Sequence, residues 1–156
     1  MGENQIQVVN TMSSATAETK PFIVAGMPMY NEEETIGTVV TMALRYVDAV
    51  ICIDDGSSDS SAKIAETCGA IVHRHRVNRG YGGALQSLFQ KARAMNADAL
   101  VVLDSDGQHE TSDIPHLLKP IMDGEVDFTI GSRFINGGGG TDMPAYRRLG
   151  IKVITA

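Results

Sequence analysis

From Phe22 onward, short apolar runs alternate with stretches of helical periodicity. Phe22-Ile23-Val24-Ala25-Gly26 reads as a buried strand that Pro28 ends. Asn31 is placed to cap a helix, with Glu34 three residues on to close a capping box. Ile36, Val39, Val40, Ala43, Leu44 and Val47 give that helix one apolar face. Ala49 to Ile53 predicts a second strand, running into Asp54-Asp55-Gly56-Ser57-Ser58. A helix through Ile64, Ala65 and Cys68 follows, and Gly69 is placed to stop it. Ala70-Ile71-Val72 starts a third strand. Gly80-Tyr81-Gly82-Gly83 opens a helix with Leu85, Leu88, Phe89, Ala92 and Met95 inward. Ala99 to Leu103 is a fourth strand, ending in Asp104-Ser105-Asp106-Gly107-Gln108-His109. Ser112 is expected to cap a helix with Pro115 in its first turn. Asp127 to Ile130 is a fifth strand, ending in Gly131-Ser132-Arg133.

Strands alternating with helices predict an α/β fold, a Rossmann-like and mostly parallel sheet with helices on both faces. Ligands of such sheets bind at the carboxyl ends of the strands. That edge carries Tyr30, Asn31, Asp54, Asp55, Asp104, Asp106, Gln108 and Arg133, so the polar chemistry gathers where the fold places a site.

The 156 residues make room for one domain with an ordinary core. Residues 1–20 are rich in Ser, Thr, Asn, Gln and Ala, lack a signal-peptide pattern, and read as a flexible tail before a domain over 21–156. The formal net charge is −6, which gives no global field to attract nucleic acid or an anionic membrane. No apolar run approaches the roughly 20 residues that cross a bilayer. Cys52 and Cys68 read as small buried hydrophobes, a usage that suits a reducing, cytoplasmic setting. Gly137 to Gly140 reads as a loop.

Asp104-Ser105-Asp106 follows a buried strand. Alternate residues of an extended segment face one way, and two close carboxylates repel unless a cation sits between them. Hard oxygen donors of this kind suit Mg²⁺ or Mn²⁺. Gln108 and His109 are nearby further ligands. The competing reading is a solvated acidic turn. Asp54 and Asp55 are placed to accept hydrogen bonds from a base or ribose, or else to form a turn and helix cap. Tyr30 is placed to stack on a nucleobase. Glu32, Glu33 and Glu34 read as a dipole-favoured first helical turn. In Asn78-Arg79-Gly80 the glycine permits close backbone approach and Arg79 is within reach of a phosphate. Arg133 and Arg147 are candidate anion ligands. His73 and His75, alternating with Arg74 and Arg76, read as a solvated edge face. Met27 and Met29 read as core or wall.

With these residues in view, the chain resembles glycosyltransferase family 2, and within it the dolichyl-phosphate mannose synthase-like branch. The matching segments are Pro28-Met29-Tyr30-Asn31-Glu32-Glu33, Ile53 to Asp59, Asn78-Arg79-Gly80, Leu103 to His109 and Gly131 to Phe134. The resemblance implies a GT-A fold that binds a GDP- or UDP-linked sugar. It implies nucleotide contacts from Pro28, Tyr30, Asn31, Glu32, Asp54, Asp55, Arg79, Gly80, Asp104 and Ser105, with Tyr30 and Asp55 on the base and ribose. Asp104, Asp106 and Gln108 would hold the metal, Mg²⁺ or Mn²⁺. Asp106, Arg133 and Arg147 would be catalytic, the arginines facing the donor phosphates or a lipid phosphate. The implied reaction is transfer of a sugar, with inversion, to a polyprenyl (dolichyl) phosphate or a saccharide. A longer form would work at the cytoplasmic face of a membrane. Catalytic domains of this kind continue past Ala156, so the chain is expected to be truncated, weak in transfer, and self-associating through bare apolar surface. Two other readings stand beside this one. One is a phospho-receiver module built on Asp54-Asp55, Asp104, Ser132 and Lys152; the other is a non-catalytic nucleotide-binding fragment.

Overall fold

The computed structural model describes residues 7–10, 20–108 and 110–131. The elements in chain order are β1 (Gln7–Asn10), β2 (Ile23–Met29), α1 (Ile36–Ala43), β3 (Ala49–Asp54), α2 (Ser61–Thr67), β4 (Ile71–Arg74), α3 (Gly80–Ala94), β5 (Ala99–Val102), a 3₁₀ turn (Thr111–Asp113), α4 (Ile114–Met122) and β6 (Phe128–Ile130). They build one six-stranded sheet in the order β4-β3-β2-β5-β1-β6. β2 pairs in parallel with β3 and β5, and β3 with β4. The chain steps outward from β2 to β3 to β4, then returns to the other side of β2 as β5. That reversal separates the helices: α1, α2 and α4 cover one face and α3 the other.

Alternation along the strands feeds the two faces. Ala25, Met27, Val50, Cys52, Val101 and Leu103 point toward α1, α2 and α4. Val24, Ile51, Ile53, Leu100 and Val102 point toward α3, where Ala84, Leu88 and Ala92 meet them. This is the α/β arrangement expected from the sequence. The approach of α3 to β2 needs Gly26, because a Cβ there would lie 2.4 Å from Leu88 Cδ1.

Several details differ from expectation. Residues 1–20 were expected as a tail, yet Gln7–Asn10 forms β1, antiparallel to both β5 and β6. A short Val-Val stretch finds the open edge of β5, whose N–H and C=O groups would otherwise be unpaired. The sheet therefore has six strands where five were expected. Asn31 does not cap α1: its backbone is left-handed at φ 55, and the helix starts at Ile36 behind Thr35. Ser112 lies inside the 3₁₀ turn, and Asp113 precedes α4. Phe89 faces outward, since the inward stripe of α3 runs through Ala84, Ser87, Leu88 and Ala92. Cys68, at the end of α2, is half-buried rather than buried.

Pro28 does not end β2; the strand runs to Met29. The reason is the register. β2 pairs with β5 only as far as Gly26–Val102, with Leu103 N–H donating to the Gly26 carbonyl, while the β3 pairing continues to Met29–Asp54. Pro28 thus meets no partner that needs its missing N–H. Its carbonyl accepts a 2.9 Å bond from Ser105 Oγ instead.

Candidate functional site

The carboxyl ends of β2, β3 and β5 open into a cavity of about 590 Å³. Pro28, Met29, Tyr30 and Glu32 line it from the end of β2, Asp55 from β3, and Asp104, Ser105 and Asp106 from β5. Asn78, Gly80, Tyr81 and Ala84 close it from the start of α3.

The β2–α1 and β3–α2 loops are stitched together. Asn31 N–H donates to Ser57 Oγ (2.9 Å), Glu32 N–H to Ser61 Oγ (2.7 Å) and Glu33 N–H to Asp59 Oδ2 (3.2 Å). In return, Ser58 N–H donates to Asn31 Oδ1 and Ser60 N–H to Glu33 Oε2, each at 2.9 Å. These bonds spend the polar groups of the Asp54-to-Ser61 segment on loop shape. Gly56, at φ 84, makes the turn that only glycine takes without strain. Thr35 Oγ1 donates to the Ser105 carbonyl at 2.7 Å and ties the β5 loop to α1.

The structure therefore divides the predicted residues. Tyr30, Glu32, Asp55, Gly80, Asp104, Ser105, Asp106 and Pro28 meet at one cavity. Asp54 does not join them. It is fully buried, accepts from Ser57 N–H at 2.8 Å, and has Arg74 Nε 2.9 Å from its Oδ2. The Asn31 side chain and the Arg79 guanidinium also turn away; Arg79 Nη1 reaches back to Ser87 Oγ at 3.5 Å. Gln108 is exposed, and its backbone N–H donates to Asp106 Oδ1 at 3.0 Å. Glu32 and Glu33 belong to a turn ahead of the helix rather than to its first turn. Arg133, Arg147, His109, Ser132, Lys152 and Gly137 to Gly140 lie outside the described residues.

Asp55 is held hard. His75 Nδ1 lies 2.7 Å and Arg79 N–H 2.9 Å from its Oδ1. Burial alone would raise this carboxyl; the bonds from His75 and from the Arg79 and Gly80 backbone outweigh it and keep it below the usual carboxylate range. Asp104 Oδ1 accepts from Tyr81 Oη at 3.4 Å. Burial and the neighbouring Asp104 charge push the Tyr81 phenol up to about 12, so it stays a donor.

His75 corrects an expectation. It is 6 % exposed rather than on a solvated edge, because β4 ends at Arg74 and the chain turns in under α3. Ser87 and Tyr81 were also missed. Ser87 is a polar residue on the apolar stripe of α3, which is a readable signal; Tyr81 stands in a glycine-rich stretch and carries none.

Among the described residues, no three His, Cys, Asp or Glu side chains gather as a metal cluster. Asp104 and Asp106 nevertheless fit a divalent cation. They are hard oxygen donors one residue apart on the same open cavity, and such ions take their remaining ligands from water and substrate phosphates.

Residues 25–154 match Glycosyl transferase family 2. The chain belongs to that family. It is 32 % identical over 142 residues to a UDP-N-acetylglucosamine–dolichyl-phosphate N-acetylglucosaminyltransferase of Methanococcus voltae, covering 80 % of this chain and 57 % of that one. It is 33 % identical over 133 residues to an undecaprenyl-phosphate mannosyltransferase of Micrococcus luteus, covering 79 % and 53 %. The crystal structure of Mycobacterium tuberculosis glucosyl-3-phosphoglycerate synthase with Mn²⁺, UDP and glucosyl-3-phosphoglycerate superposes with a TM-score of 0.57 at 27 % identity, covering 75 % of this chain and 48 % of that one. The chain spans about half the length of these relatives. The family 2 assignment accords with the GT-A type sheet described above. Among the described residues, no helix is long and apolar enough to cross a membrane.

Proposed function

We propose that this chain is the donor-binding part of a metal-dependent glycosyltransferase that takes a sugar from a nucleoside diphosphate. The observation that carries the reading is the meeting of Tyr30, Asp55, Asp104 and Asp106 around one cavity at the carboxyl edge of the sheet. The half-exposed Tyr30 ring offers a stacking face for the base. Asp55 is an ionised acceptor for a donor on the nucleoside. Asp104 and Asp106 would hold Mg²⁺ or Mn²⁺ against the diphosphate; solved relatives carry these metals with UDP. When bound, a divalent cation supplies Lewis-acid stabilisation of the departing diphosphate. The protein residues do the rest: Tyr30 and Asp55 fix the nucleoside, Ser105 fixes the β5 loop, and Tyr81 steadies Asp104.

The acceptor is proposed to be phosphorylated, with a polyprenyl phosphate favoured by the names of the two enzyme relatives. A phosphate acceptor is already anionic, so a single displacement with inversion needs no general base. Arg133 and Arg147 are proposed to face the phosphates. Asp54, Asn31 and Arg79 are assigned to shaping the loops instead. Calorimetry with UDP, GDP and their sugars, with and without Mn²⁺, tests the proposal. Micromolar binding that requires the metal is the expected result; no binding of either nucleotide would remove it.

A further inference from the structure

Beneath the cavity, four residues from three segments form one hydrogen-bonded circuit: Asp55 after β3, His75 and Arg79 between β4 and α3, and Ser87 on α3. His75 Nδ1 lies 2.7 Å from Asp55 Oδ1, and His75 Nε2 lies 2.8 Å from Ser87 Oγ. Arg79 Nη1 lies 3.5 Å from the same Ser87 oxygen, and the Arg79 backbone N–H closes the circuit at 2.9 Å on Asp55 Oδ1. His75 and Ser87 are both buried, so neither is open to a substrate.

Donor and acceptor accounting gives this circuit a direction. A carboxylate only accepts, so the Nδ1 that faces Asp55 carries the proton. In a neutral imidazole Nε2 is then the acceptor, and the Ser87 hydroxyl is the group that donates to it. The Ser87 oxygen keeps its lone pairs for the Arg79 guanidinium. With the ring neutral, every bond points toward Asp55. Two donors on Oδ1, His75 Nδ1–H and the Arg79 N–H, fill its two lone pairs, while the Gly80 N–H, which also pulls on this carboxylate, makes its 2.9 Å bond to Asn78 Oδ1. A donor on a ligand in the cavity must be accepted by the other oxygen, Oδ2. Ser87 is also the one polar residue on the stripe Ala84, Ser87, Leu88, Ala92 that α3 buries, which is a poor choice for packing alone.

We propose that His75, oriented by Ser87, is a positioning residue that saturates Asp55 Oδ1 and dedicates Oδ2 to a hydrogen-bond donor of the nucleoside. The donor is a base N–H or a ribose hydroxyl. This inference rests on the proposed nucleotide cavity. It also explains the burial of a histidine that touches neither the cavity nor either acidic residue of the metal pair.

The test compares His75→Asn, which keeps an N–H where Nδ1 stands, with His75→Gln, which moves it toward the Nε2 position. Both are checked for native folding by circular dichroism, and binding of UDP and GDP with Mn²⁺ is measured by calorimetry. Asn should bind within a few-fold of the parent. Gln and Ser87→Ala should lose affinity, about tenfold for Gln, the scale of a misdirected charge-assisted bond. Nucleotides with the base nitrogen methylated, or with 2′-deoxyribose, identify the donor: against the analogue that lacks it, parent and His75→Gln should bind alike. Equal losses with every ligand would show a merely structural role and overturn the inference. A second readout needs no nucleotide. Nitrogen-15 spectra of the imidazole should show Nδ1 protonated and Nε2 shifting in Ser87→Ala; a ring whose only proton is on Nε2 overturns the inference outright. A parent that binds UDP or GDP while His75→Gln binds equally well removes this inference alone. A parent that binds neither removes the proposed function and the nucleoside role together.

Discussion

Tyr30 follows the end of β2 on the cavity wall and is 50 % exposed. Little of the fold depends on it, so its removal should act on the ligand alone. Tyr30→Ala is expected to weaken binding of UDP or GDP by about 1–3 kcal/mol, the range for lost base stacking, and to leave the urea midpoint unchanged. Calorimetry and denaturation on the same preparation check both parts. Asp106 makes a different prediction. Asp106→Ala should erase the difference between nucleotide binding with and without Mn²⁺; equal metal dependence in variant and parent would exclude Asp106 from the metal site. Asp55 has a pH signature. Its folded-state carboxyl is held below the ordinary value, so its ionised form contributes stability above the unfolded value of about 3.9, and that contribution is lost as pH falls through the folded value. The stability gap between parent and Asp55→Asn should therefore be wide at neutral pH and narrow in acid, as read by urea melts across that range.

At the scale of elements, α3 is fixed to the sheet by a notch. Gly26 leaves room for Leu88, and a methyl group at position 26 would press on three atoms of that side chain. Gly26→Ala should cost about 1–3 kcal/mol by overpacking, and Leu88→Ala about 2–5 kcal/mol by leaving a cavity. Urea midpoints measure both, and the double variant should lose less than the sum because the two sites are in contact. These elements were legible because strong patterns carried them. The Leu85-Leu88-Ala92 spacing announces α3, and Val-Ile-Cys-Ile announces β3. The place of Asp104 and Asp106 on the cavity wall was legible for the same reason: a strand end fixes where the next residues project. Asp54 and Asp55 are not told apart by the sequence, because adjacent carboxylates look alike in one dimension. Only the turn at Gly56 and the pairing with Arg74 assign one to the loop and the other to the cavity. His75 was misread because alternation along β4 says nothing of the turn after Arg74. β1 was misread because a Val-Val pair inside a polar stretch carries too short a pattern, and its partners β5 and β6 lie some ninety residues away or more.

For the whole molecule, the sheet is divided into a parallel body, β4-β3-β2-β5, and an added pair, β1 and β6, that hangs on β5. Removing residues 1–10 should leave the parallel body folded but expose the β5 edge and release β6, which reaches β5 only through β1. A lower melting temperature and greater light scattering are expected from that deletion; an unchanged monomer would show that β1 contributes nothing to the sheet. The parallel body also determines where the cavity opens, through Pro28. Continued in register beyond Gly26–Val102, the next rung of the β2–β5 ladder would run from the N–H of residue 28 to the Leu103 carbonyl. Proline has no such N–H. The one after it would bring the Ser105 N–H to the Pro28 carbonyl, and the Ser105 hydroxyl already holds that place. Pro28 thus acts as a zip stop. Two strands that would close tooth by tooth are halted at a fixed point, and the gap between their free ends, with Tyr30 on one side and Asp104 on the other, is the mouth of the site.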